Sequence, residues 1–230
     1  MVKKILLLGL LCNILNGFGQ QSSFQIWSET GVKGKISKKI DYSIDITNRF
    51  GQYKLVTFFP QVSIKYKLAD WIKPSIDYRW IANREDNGNY LASHRINGNL
   101  QFSHSLKRFN FGLRVRYQYS FKGVTSNYEP EFDKAIRIKP SLSYDIKKSV
   151  FSTIVSCEFF YNSAQGYWAN RLTRIRSFVG VDINLKGPND LQLGCFYDQK
   201  VNLPGLESKY VFSATYAYNI SNKSKKKVND

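Results

Sequence analysis

From residue 40 onward the chain alternates apolar and polar side chains. Ile40, Tyr42, Ile44 and Ile46 fall on one face, with Asp41, Ser43, Asp45 and Thr47 on the other, the period-two mark of a strand with one greasy side. Phe58, Pro60, Val62, Ile64, Tyr66 and Leu68 then oppose Gln61, Ser63, Lys65 and Lys67. After a short turn at 69–71, Ile72, Pro74, Ile76, Tyr78 and Trp80 oppose Lys73, Ser75, Asp77 and Arg79. A strand over 91–104 carries Arg95, Asn97, Asn99 and Gln101 on its polar face. The clearest one sets Phe109, Phe111, Leu113, Val115, Tyr117 and Tyr119 against Asn110, Gly112, Arg114, Arg116 and Gln118. Ile136, Ile138, Pro140, Leu142 and Tyr144 oppose Arg137, Lys139, Ser141 and Ser143. Segments 151–161, 174–185, 191–197 and 210–220 bring the set to about ten strands, most near the length of a tilted membrane crossing.

The connections alternate in length. Short turns fall at 37–39, 69–71, 105–108, 146–149 and 186–190, and longer polar loops at 51–54, 82–90, 121–131, 162–170 and 198–209. Short periplasmic turns with longer outer loops are the habit of outer-membrane barrels. The pattern therefore predicts an all-β fold, an antiparallel up-and-down transmembrane β-barrel of ten to twelve strands occupying residues 21–220. Tyr and Trp near the strand ends, such as Trp71, Trp80, Tyr161 and Tyr218, suit the headgroup level, although aromatics also favour strands intrinsically. One segment resists the scheme. With both termini expected on the periplasmic side, 24–36 should not be an ordinary eleventh strand, and its greasy face is poor because Ile26 and Trp27 point opposite ways. Either it lines the lumen or a further strand makes twelve.

Ahead of the barrel, Lys3 and Lys4 precede an apolar run from Ile5 to Leu11, followed by Gly17 and Gly19. That order predicts a cleaved signal peptide over 1–20, since the run is far shorter than the roughly 20 residues of a spanning helix. Of three cysteines, Cys12 goes with this leader, and Cys157 and Cys195 read as small fillers on the greasy face, so no disulfide framework is expected. A basic tail over 221–230 follows the last strand.

Aromatics at 15% and a mean hydropathy of -0.37 fit a wall that is half greasy and half polar. The formal charge of +17 would ordinarily suggest nucleic acid. Export and the distribution of the charges exclude it, because the greasy parity carries no charged residue within the spans. A lipid-facing Arg or Lys at midplane costs about 2–4 kcal/mol. The cations therefore line an interior. Arg49, Arg79, Arg95, Arg116, Arg137, Arg174 and Arg176 stand roughly 8–12 residues up their strands, on the order of 20–30 Å above the periplasmic rim. With Arg114 and Lys139 they predict a cationic belt toward the outer mouth, with Glu158 as its main acidic partner.

Such a belt favours anions, which makes small anionic solutes the candidate ligands of a narrow channel or binding site. The alternative is a lumen filled by paired charges, in a barrel that acts through its outer loops. A lipid-acting hydrolase or acyltransferase is disfavoured, because His94 and His104 fall on the greasy parity while Ser93 and Ser103 fall on the polar one, and a Ser–His pair needs a shared face. Neither cofactor nor metal is implied by any motif. The expected partners are outer-membrane lipid and, during biogenesis, the barrel-assembly machinery.

Trp27, Asn48-Arg49, Tyr78-Arg79-Trp80, His94-Arg95, Arg114-Val115-Arg116-Tyr117, Glu158-Phe159 and Arg174-Ile175-Arg176 recur near the outer halves of strands. In these motifs and their spacing, over nearly the whole mature chain, the sequence resembles the domain-of-unknown-function family 2490. The resemblance implies an outer-membrane barrel and carries no reaction, ligand or functional residue. The chain departs from many outer-membrane proteins in extending past its last strand, where Tyr218 and Ile220 would stand in for a terminal aromatic.

Overall fold

The computed structural model describes residues 21–52, 54–122, 134–162, 172–185, 187–202 and 207–220. The leader 1–20, the tail 221–230 and most of the loops expected at 121–131 and 162–170 lie outside them. Eleven strands follow one another: β1 (Gln21–Lys35), β2 (Ile40–Gly51), β3 (Lys54–Tyr66), β4 (Ile72–Arg84), β5 (Tyr90–Leu106), β6 (Phe109–Lys122), β7 (Lys134–Asp145), β8 (Phe151–Asn162), β9 (Leu172–Asn184), β10 (Asn189–Lys200) and β11 (Glu207–Asn219). Each pairs with its sequence neighbours, and β1 pairs with β11 to close a barrel. Among the described residues there is no helix.

An up-and-down sheet with an odd number of strands can close only where two neighbours run the same way. That seam is β1 against β11, a parallel ladder in register from Gln21↔Glu207 to Lys33↔Asn219, while every other pair is antiparallel. Segment 24–36 is thus a full strand, and no twelfth is needed. The expectation that both ends of the barrel share a rim is overturned: β1 starts at the rim of the longer connections and β11 ends at the rim of the short turns. The weak greasy face of β1 has a simple cause. Ile26 points outward at 46% exposure and Trp27 inward at 8%, so the two residues were never meant to share a face.

The molecule is apolar outside and polar inside. Ile44, Val62, Ile76, Leu100, Phe111 and Val179 are exposed, whereas Asp77, Asn97, Arg116, Arg137, Glu158 and Arg176 are buried. Two details depart from the sequence pattern. The connection expected as a long loop at 51–54 is a tight hairpin, with Gln52 at a φ of 47° just past a register shift at Arg49/Phe50; such a bulge turns the strand sharply and shortens the link. Strands β10 and β11 also run further than expected, so that Asp198 pairs with Lys209 within the ladder instead of lying in a loop.

Candidate functional site: an arginine-lined vestibule

The inward side chains form a layer in which guanidinium groups alternate with aromatic rings. Arg49 on β2 lies 4.0 Å from the ring centroid of Trp27 on β1 and 4.9 Å from that of Phe59 on β3. Arg176 on β9 lies 4.9 Å from Trp27 and 5.1 Å from Phe160 on β8, and Arg137 on β7 lies 4.3 Å from Phe160. Arg79 on β4 covers the Phe59 ring at 4.4 Å. Trp27 also meets Phe196 on β10 at 5.4 Å, and Phe196 meets Phe178 at 4.5 Å. Contacts of a cation with a ring face contribute about 0.5–2 kcal/mol each, the more so when water is excluded. The Phe178 ring fits because Gly180 and Gly194 face each other beneath it; a Cβ at Gly194 would stand 2.4 Å from its edge.

Three carboxylates anchor the layer. Asp198 receives Arg176 at 2.6 Å, with Arg174 at 3.6 Å. Glu158 accepts two bonds from Arg137, at 3.1 and 2.9 Å, and one from Arg114 at 2.6 Å. Asp77 holds Arg116 at 2.8 Å and accepts from Asn99 at 3.1 Å. The Arg176–Asp198, Arg137–Glu158 and Asn99–Asp77 bonds join neighbouring strands, while Arg114–Glu158 and Arg116–Asp77 each reach over one intervening strand. Fork-to-fork geometry of this kind suits Arg far better than Lys. Arg95 donates to Ser120 at 2.9 Å, and Arg79 donates to Gln61 at 2.8 Å through Nε, with Nη2 on the same oxygen.

The layer separates two spaces. Above it, toward the longer connections, is a vestibule of about 230 Å³ lined by Arg49, Arg79, Arg95, Arg137, Arg174, Arg176 and Lys209, with Thr57, Phe59, Ile81, Asn83, Gln118 and Phe160. No carboxylate belongs to this described lining. Below it, at the short-turn end, are cavities of about 330 and 610 Å³ that meet at Lys33. The first is mainly basic, with Lys35, Lys65, Arg114 and Arg116, and the second holds Asp145, Asp182 and Asp190. Neither shares a lining residue with the vestibule. Outside the strands, at the same end, Lys67 lies 2.7 Å from Asp70 and holds that carboxyl below its usual range, while Asp70 raises the Lys67 ammonium.

Of the sequence-derived belt, Arg49, Arg79, Arg95, Arg137, Arg174 and Arg176 come together at the vestibule. Arg114 and Arg116 line the basic lower cavity, and Lys139 stands beside Arg114 in the ladder without lining any of these three spaces. Glu158 bridges between levels through Arg137 and Arg114. Sequence reasoning overlooked the inward rings of Phe59 and Phe160, and Lys209 and Asp198 as members of the site. Parity alone marked the two phenylalanines, since each lies two residues from an inward polar neighbour, Gln61 and Glu158.

His94 faces outward and stacks on Phe121 at 5.2 Å, with its Nδ1 2.7 Å from the Tyr78 hydroxyl; Ser93 is buried on the opposite face. Among the described residues no group of three or more His, Cys, Asp or Glu is placed to hold a metal. No curated protein matches the chain. The family model for a protein of unknown function, DUF2490, matches residues 24–209, and the chain belongs to that family.

Proposed function

We propose that this barrel sits in an outer membrane and captures small anionic solutes in the arginine vestibule at its outer mouth. The observation that carries the reading is the vestibule itself, with seven cations and no carboxylate in its described lining. A low-dielectric wall focuses such a field and raises the local concentration of anions. Membrane placement draws on the inverted polarity of the barrel and on strands of 12 to 17 residues. A 12-residue strand rises about 30 Å at roughly 3.3 Å per residue and a tilt near 40°, enough for the lipid-facing band of about 25 Å. In this reading residues 1–20 export the chain, the barrel-assembly machinery inserts it, and lipid covers the exposed aliphatic and aromatic wall.

Capture is favoured over free conduction. Trp27, Phe59, Phe160, Arg137 and Arg176 are each less than a tenth exposed, so the layer fills the lumen directly beneath the vestibule. Titration calorimetry of the detergent-folded barrel against a panel of small anions tests the proposal. At least one anion should bind, Arg49→Gln should weaken it, and planar-bilayer conductance should stay low. Absence of binding across the panel, or a large steady conductance, would contradict it.

A further inference from the structure

The cations of the vestibule are not equally satisfied. Arg176 and Arg174 share Asp198, Arg137 has Glu158, and Lys209 has Glu207 at 3.1 Å. Among the described residues no carboxylate lies within ion-pair distance of Arg49 or Arg79. Arg79 spends its donors on the neutral amide of Gln61, and the Nε of Arg49 is buried without a hydrogen-bond partner. Both guanidinium groups rest against one ring, Phe59, which places their central carbons within about 9 Å of each other at ordinary cation–ring distances.

Resting on the reading of the vestibule as an anion site, we propose that its ligand is a compact doubly charged oxyanion of the phosphate or phosphomonoester class. Arg49 and Arg79 grip it together, from either side of β3. Two cations without an ion-pair partner favour a ligand with two negative charges, and a tetrahedral oxyanion offers several acceptor atoms to two forks at once. Size narrows the class. A space of about 230 Å³ corresponds to about eight waters of liquid, room for a phosphate with a small substituent and below the usual range for drug-sized ligands. The vestibule lies inside the barrel and faces the long-loop rim, so the phosphate arrives as a free solute and not as a lipid headgroup.

Methyl phosphate at pH 8 and methyl sulfate form the deciding pair, because they match in shape and differ by one charge. Calorimetry on the full folded barrel should show methyl phosphate binding tenfold or more tightly. Arg49→Gln and Arg79→Gln should each weaken methyl phosphate by about tenfold to a hundredfold, the cost of a lost charged hydrogen bond, and shrink its advantage over methyl sulfate. Lys65→Gln, in the lower cavity, should change neither. The heat-dependent gel shift of each variant reports folding, and Arg79→Lys, which keeps the charge and loses the fork, supplies a gentler second variant that should retain intermediate affinity. Phosphatidic acid in mixed micelles should not displace methyl phosphate; displacement would overturn the free-solute source. Equal binding of the two methyl esters would overturn the doubly charged ligand while leaving anion capture standing. Failure of every anion to bind would remove the underlying reading itself.

Discussion

Replacing Glu158 by Gln should destabilise the barrel by about 3–5 kcal/mol, the usual result of removing one partner from a buried ion pair. Glu158 is 4% exposed and is the shared acceptor of Arg137 at 2.9 Å and Arg114 at 2.6 Å. At an effective dielectric near 20, a charge pair about 4 Å apart is worth roughly 4 kcal/mol. Two such pairs exceed the several kcal/mol needed to desolvate the carboxylate. Gln keeps the volume and one acceptor oxygen but leaves two cations facing each other, which places the cost toward the upper end of that range. With a urea slope of about 2–3 kcal/mol/M, the midpoint should fall by roughly 1–2 M. The assay is reversible urea unfolding in lipid vesicles, followed by tryptophan fluorescence. Asp70→Asn, which removes a carboxylate from the exposed Lys67 pair, is the control and should shift nothing measurable. A Glu158→Gln shift as small as that of the control would refute the reasoning, since it would mean that water screens the Glu158 carboxylate and that the layer does not exclude solvent.

Val179→Lys, at the middle of the outward face of β9 where Val179 is 59% exposed, should cost about 2–4 kcal/mol in vesicles, measured by the same unfolding assay; no cost would argue against a lipid-facing wall. Trp27→Ala should open the layer beneath Arg49 and Arg176, and planar-bilayer recording should then show an anion-preferring conductance absent from the parent barrel. Gly194→Val should destabilise by about 1–3 kcal/mol through overpacking, because its Cβ would meet the Phe178 ring at 2.4 Å; a neutral result would mean that the ring has room to move.

Much of the barrel was legible because alternation is a local signal. Outward-facing and lumen-facing residues must switch at every step, so Phe111, Leu113 and Val115 on one side and Gly112, Arg114 and Arg116 on the other declare both strand and sidedness. Four features were not legible, for separate physical reasons. The parallel seam joins the first and last strands, and its register, Trp27↔Ser213 for instance, leaves no local trace in either segment. Trp27, Phe59 and Phe160 looked like ordinary strand aromatics, because β-propensity is blind to the face a ring occupies. Lys209 fell in a supposed loop because polar residues at the top of an inward face look like loop residues, and Asp198, an inward anion by parity, stood at the edge of that loop and so was not assigned to the belt. Arg49, Arg79 and Arg176 were legible as inward cations from parity alone. Their unequal pairing was not, since it depends on whether a carboxylate stands at the facing position of the neighbouring strand, as Asp198 does for Arg176.

The most direct test of a membrane barrel with a polar, arginine-lined interior is a spin-label accessibility scan along β6 in lipid vesicles. Single cysteines would be placed in turn at Phe111, Gly112, Leu113, Arg114, Val115, Arg116, Tyr117, Gln118 and Tyr119, with Cys157 and Cys195 replaced by Ser. Collision with dissolved oxygen, which concentrates in lipid, should be high at Phe111, Leu113, Val115, Tyr117 and Tyr119 and low at the positions between them. A scan without that alternation, or one in which a water-soluble nickel complex reaches Leu113 and Val115 freely, would contradict it.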